Sequence, residues 1–546
     1  MFLFLLKAFL VYAVSWFIWR SIRKRFFPSV LENIPGPDPS SFLTGSMGEF
    51  MDKRGWKYHH DIAAKYGSVM RMKGLFGKDQ LVVFDSKAMH HIFVKDQEIF
   101  EEHPYFISLN ALAFGEGLLA TLGAQHRKQR KMLNPVFSIA HMRNMVPIFY
   151  QVSHKMRQSI AKSLANGPRE VEMVSWMTRT ALELIGQSGL GFSFDSLTDK
   201  EPTHRYAKAV KNFVHASYKL RFAGPLLAPT LRKIGSAKFR RFVVDMFPWK
   251  GLHDLRDIID VMDQTSKEIY AEKIQALEAG DEAISAKIGQ GKDIMSILMR
   301  ANMVASKDET MTENEVLGQM SSLIFAAMDT TSGALSRTLY LLSQHPDVQD
   351  RLRQEIIEAK EHNGGEDLSY DTLVSLPYLD AICRETLRVY PPVSQAQRMT
   401  THDVMLPLSS PVKGLNGEYI HEIPVPKNTP VIVSLIAANR SQEIWGSDAD
   451  EWKPERWLSP LPESVVNAHL PGIYSHLMTF IGGGRSCIGF KFSQLEMKVV
   501  LSLLIEVFKF SPPEGEIEWL MNGIASPVVK GLNDGNSMMP LLVESI

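Results

Sequence analysis

The stretch Phe480 to Gly489, FIGGGRSCIG, decides how the rest of the chain is read. Three successive glycines, an arginine and a lone cysteine form a loop, and an amphipathic run, Lys491 to Val507, follows at once. Glycine is placed where the backbone takes positive φ or must approach something closely, and three in a row raise the entropy lost on folding. Such a loop predicts a bulky partner lying flat against it. Cys487 stands just ahead of a helix start, where unpaired N–H groups and the helix dipole favour an anionic thiolate. A lone cysteine is more often an inert buried thiol. A thiolate facing a large flat partner points instead to a haem ligand.

The chain has 546 residues, 45% hydrophobic and 22% charged, enough to bury a large core. No internal repeat or long linker divides it, so one large domain behind an N-terminal appendage is expected. Lys+Arg and Asp+Glu both number 60, which lacks the basic footprint of a nucleic-acid binder. Cys383 and Cys487 are the only cysteines, so no disulfide framework exists and a reducing compartment fits. Met1 to Trp19 is apolar apart from Lys7 and Ser15, a short but adequate membrane span. Arg20, Arg23, Lys24 and Arg25 follow it, the reverse of a cleaved signal peptide, and hold the C-terminal side in the cytoplasm. Ile34-Pro35-Gly36-Pro37 reads as an extended spacer. The expected division is an anchor at 1–19, a basic stop and proline-rich hinge at 20–40, and a catalytic domain at 41–546.

Trp56 to Tyr66 has helical spacing, Ser68 to Lys73 and Gln80 to Phe84 read as strands, and Ser86 to Val94 returns to helix. Gln125 to Met132 is strongly basic, and on a helix His126 and Arg130 share a face. Val171 to Val304 is mostly amphipathic helix. Within it Phe222 to Pro229 and Phe242 to Trp249, interspersed with cations, suit either core or membrane interface. Glu313 to Leu342 is apolar nearly all round, as a central buried helix must be, yet it carries Asp329-Thr330-Thr331. Glu385 and Arg388 share a helix face in Tyr378 to Tyr390. Short strands are expected at Val404–Leu406, Val431–Ile436 and Met538–Val543. The fold class is therefore mainly α with a small β region.

Phe480, Gly483, Arg485, Cys487 and Gly489 resemble the haem-binding signature F-x-x-G-x-R-x-C-x-G of the cytochrome P-450 family. Ala326 to Thr330 resembles its (A/G)-G-x-(D/E)-T motif, with Ala327 where glycine is usual. Glu385 and Arg388 match E-x-x-R, and Pro454 to Trp457 matches P-E-R-(F/W). His126 and Arg130 match W-x-x-x-R with histidine in place of tryptophan. The resemblance implies the family fold behind a transmembrane helix, and haem b ligated through iron by Cys487. It further implies propionates held by His126, Arg130, Arg398 and Arg485, Phe480 beside the cofactor, and Asp329 with Thr330 as the proton-delivering acid–alcohol pair. Arg456 joins Glu385 and Arg388 in a buried network, and Cys383 is structural. Implied partners are NADPH–cytochrome P-450 reductase, cytochrome b5 as a second donor, and an apolar small-molecule substrate. The implied location is the endoplasmic reticulum membrane, single-pass, with the catalytic domain cytoplasmic. Arg127, Lys128 and Lys131 are expected to dock an acidic redox partner. The motifs are similar to those of fungal microsomal members, many of which act in secondary metabolism such as terpenoid biosynthesis. Two alternatives share these residues: a haem-thiolate isomerase or dehydratase needing no external oxygen, and a non-enzymatic haem gas sensor.

Overall fold

The structure is a computed structural model that describes residues 29–198, 204–280, 288–289, 291–532 and 537–546. The anchor expected at 1–19 and the basic residues after it lie outside these. Among the described residues no helix is long and apolar enough to cross a membrane. The proline-rich hinge is not a free spacer. Leu31 and Ile34 are buried, and the Pro35 carbonyl accepts the Arg71 N–H at 2.9 Å.

The organising element is the helix Glu313–Gln344. A capping box starts it: Thr312 accepts from the Glu315 N–H, and the Glu315 carboxylate accepts from Thr312 N. Its apolar run is buried against the helices Met173–Leu184, Lys250–Ala279 and Phe490–Val507 in one continuous core. Thr331 Oγ1 donates to Ser493 Oγ at 3.1 Å, tying the central helix to the helix that follows the cysteine loop.

The helix Trp56–Tyr66 ends at Gly67, whose φ of 81° only glycine adopts readily. A five-stranded sheet follows the order Val69–Lys73, Asp79–Val83, Pro430–Ser434, Gln395–Thr400, Phe100–Glu102. Only the pairing of Asp79–Val83 with Pro430–Ser434 is parallel. The register of the last two strands sets Glu102 opposite Arg398, a cross-strand ion pair that places this arginine. The β region exceeds expectation: Val404–Lys413 pairs with Tyr419–Val425, and Ile517–Met521 with Ala525–Val529. The helix expected over Ser86 to Val94 divides into an α-helical turn, Ser86–His90, and a wide π-turn, His91–Lys95. The wider turn sits where Phe93 meets the cysteine loop.

Candidate functional site

The cysteine loop is closed by its own backbone. Cys487 N donates to the Phe480 carbonyl at 2.9 Å, and the buried Phe480 ring packs beside Tyr474 and Phe490. A Cβ on Gly482 would lie 1.5 Å from the Pro471 carbonyl oxygen. One on Gly483, at φ 69°, would lie 1.7 Å from that of Phe93. These two glycines therefore answer to protein backbone, which corrects the expectation that the whole triplet faces a flat partner. Gly489 is different, because its Cβ direction meets nothing within 4 Å.

The helix Phe490–Val507 begins three residues past Cys487. Burial pushes the Cys487 thiol up, while the Gly489 N–H and the Arg130 cation pull it down by less. Dipole and donors alone thus do not make the thiolate, and a bound metal would supply the missing term. The side chain is accessible, yet protein surrounds it deeply enough for desolvation to dominate. A thiol accessible in the interior borders an internal space.

A basic cradle lies beside it. The helix Gly123–Leu133 carries His126 and Arg130 on one face, as expected. Both line a cavity of about 280 Å3 together with Arg398, Arg485, Gly484, Glu101 and Glu102. Arg130 donates to Ser486 O at 2.6 Å and Ser486 Oγ at 3.0 Å. Arg485 donates to Thr121 O at 2.8 Å and faces Glu101 at 3.7 Å. Arg398 donates to Glu102 at 2.7 Å, but its Nη2 is buried without a partner among the described residues. Burial, then Arg485, Arg130 and Arg127, push His126 down to about 3, so its ring is neutral. An orphaned guanidinium nitrogen, converging cations and an adjacent accessible thiol fit a haem with its carboxylates toward the cradle.

On the facing side, Ala326 is accessible in the middle of the otherwise buried central helix. Thr330 Oγ1 donates to the Ala326 carbonyl at 2.7 Å, the back-bond common to helical threonines. Its oxygen lone pairs stay available to accept. Burial raises Asp329 to about 7, with Lys211 opposing. Phe114, Phe213 and Phe325 form a ring cluster beside Ala326, with centroids 4.8–5.2 Å apart. It joins Pro104–Phe114 and Arg205–Tyr218 to the central helix.

Behind the cysteine loop, Arg388 grips Glu385 with two bonds of 2.8 Å, both side chains fully buried. Arg456 reaches Glu385 at 3.4 Å, and Trp457 Nε1 and Lys453 N also donate to it. Arg388 further donates to the carbonyls of Asn439, Ala449 and Glu451, so the group fixes the segment leading to the loop. Cys383 is buried, pushed up to about 12, and remote from these groups in character: an inert thiol. Arg127, Lys128 and Lys131 pair with Glu98, Glu315 and Glu309. Arg127 and Lys131 stay largely exposed in these pairs, whereas Lys128 is held against the buried Glu315. Sequence reading missed Glu101 and Glu102 as counter-charges, because only strand register brings them to the arginines.

A family model described as Cytochrome P450 matches residues 35–530. The chain is 50% identical over 542 residues to Cytochrome P450 monooxygenase 91 of Postia placenta, covering 99% of each. It is 46% identical over 527 residues to Cytochrome P450 monooxygenase 212 of the same fungus, covering 96% of this chain and 95% of the relative. It is 42% identical over 517 residues to a ganoderic acid synthetase of Ganoderma lucidum, covering 94% of each. The chain belongs to the cytochrome P450 family of monooxygenases, whose members bind haem b through an axial cysteine thiolate.

Proposed function

We propose that the protein is a membrane-anchored monooxygenase that hydroxylates a bulky apolar metabolite, with electrons passed from NADPH through a separate reductase. The observation that carries the reading is the pairing of an accessible interior cysteine with an acid–alcohol pair on the helix bonded to the cysteine helix. Cys487 holds the haem iron. Arg130, Arg398 and Arg485 neutralise the propionates, and neutral His126 donates a hydrogen bond. Phe480 shapes the loop through its carbonyl. When bound, haem with a thiolate ligand supplies the activation of dioxygen. Asp329, near neutrality, takes protons from the Lys211 side and releases them inward, while Thr330 accepts or donates at its Oγ1. The protein packed around Asp329 keeps bulk water from delivering protons to it at random.

The Phe114–Phe213–Phe325 cluster supports an apolar substrate, and the relative named for ganoderic acid is in keeping with a terpenoid. Membrane attachment is supported by the helix Ala237–Met246. Phe239, Phe242, Val243 and Met246 recur on one face of it, exposed, with Met246 at 68%. Exposed Leu226, Leu227, Ile234 and Phe247 flank it. This face suits the endoplasmic reticulum surface beside an N-terminal span at 1–19. Turnover of the reconstituted enzyme under oxygen-18 gas tests the reading. One labelled oxygen atom in the product is expected. An unlabelled product formed without NADPH would replace it with an isomerase or dehydratase, and no turnover at all with a gas sensor.

A further inference from the structure

A cation is held against the backbone of the cysteine loop one residue before Cys487. Arg130 stands in the last turn of the helix Gly123–Leu133, half-buried, and one edge of its guanidinium grips a single residue. Nη1 donates to the Ser486 carbonyl at 2.6 Å and Nη2 to the Ser486 hydroxyl at 3.0 Å. Ser486 is itself buried, and its N–H donates to the Gly483 carbonyl at 3.1 Å. A planar fork meeting two acceptors on one residue fixes direction as well as distance, which a lysine would not do.

The carbonyl that takes Nη1 belongs to the same peptide group as the Cys487 N–H. That N–H donates to the Phe480 carbonyl at 2.9 Å, so the group is held at both ends. A cation on its oxygen polarises the peptide and strengthens the bond on its nitrogen side. The two bonds to Ser486 use two of the five guanidinium N–H groups. Three remain for a propionate in the cavity that Arg130 also lines, so both tasks are compatible.

We propose that Ser486 is a positioning residue: it holds the Arg130 cation against the Cys487 peptide, and this raises the reduction potential of the haem iron. The inference rests on Cys487 ligating that iron. When one electron passes from the reductase to ferric iron, the haem–thiolate unit gains one negative charge, and no bond of the protein is made or broken. A fixed cation nearby favours the added charge, and partial burial limits its screening by salt. Hydrogen bonds and charges around a ligating sulfur are among the protein's levers on such potentials.

The test uses the haem-loaded full chain and a spectroelectrochemical titration of the ferric–ferrous couple. Ser486→Ala loses the hydroxyl bond but keeps the carbonyl bond, so a modest effect is expected. Reduction should become about threefold less favourable, which lowers the midpoint of a one-electron couple by about 30 mV. Ser486→Thr retains a hydroxyl and should stay at the wild-type value. In an Arg130→Lys background the charge remains but the fork is gone, so Ser486→Ala should shift the potential by clearly less. An unshifted Ser486→Ala, a Ser486→Thr as low as Ser486→Ala, or an equal shift in the Arg130→Lys background would each overturn the proposal. A haem-loaded wild type lacking the carbon monoxide band of a thiolate ligand would overturn it together with the functional reading. With that band present, an indifferent Ser486→Ala sinks this proposal alone.

Discussion

Asp329 illustrates how one residue's surroundings set its chemistry. Alone it would be a carboxylate at neutral pH, but burial lifts it to about 7. Below that value the carboxyl is protonated and can donate; above it the group is an anion and cannot. Turnover coupled to product should therefore fall as pH rises through about 7. Asp329→Asn should lose that limb along with most of the rate, which a pH series of product formation against NADPH use would reveal. Thr330→Ala removes the hydroxyl bonded to Ala326 and leaves the fold intact, so NADPH consumption should persist while peroxide replaces product. Unchanged coupling in that variant would assign Thr330 to helix packing alone. Asp329, Thr330 and Cys487 could be proposed from sequence because each sits in a short local pattern. The reason for the glycines could not. Gly482 and Gly483 are fixed by the carbonyls of Pro471 and Phe93, contacts that exist only after folding.

At the scale of elements, the helix Pro377–Val389 and the turn Pro454–Leu458 are joined through Glu385. Its carboxylate receives Arg388, Arg456, Trp457 and Lys453 N at once. Glu385→Ala leaves the fully buried Arg388 guanidinium without a counter-charge, while Arg456 keeps Asp448, and such a loss typically destabilises by about 3–5 kcal/mol. Loss of haem content and a lowered thermal midpoint are expected, with no separable change in reaction chemistry. A variant with normal haem content would contradict the structural role. The helix positions were readable from pattern, since Glu313–Gln344 is apolar nearly all round and Phe490–Val507 follows an amphipathic run. The carboxylate partners of the surface cations were not. Lys128 meets Glu315 and Lys131 meets Glu309 across about 180 residues of chain, and a single sequence carries no signal for such pairings. The hairpin of Ile517–Met521 with Ala525–Val529 escaped notice because its strands are short and mixed in polarity.

For the whole molecule, the apolar face of Ala237–Met246 and its neighbours forms an exposed patch on a chain of balanced charge. Soluble surfaces seldom expose contiguous apolar area of this kind without a partner. Replacing Phe239, Phe242 and Met246 together by serine should weaken binding to phospholipid vesicles without altering haem content; unchanged vesicle binding would return the patch to another role. The account as a whole rests on Cys487 holding haem as its thiolate. The most direct measurement is the carbon monoxide difference spectrum of the reduced protein, compared between wild type and Cys487→Ala. The wild type should show the long-wavelength band of a thiolate-ligated haem, and the variant should lose it while remaining folded. A band retained in Cys487→Ala, or absent from haem-loaded wild type, would contradict the account.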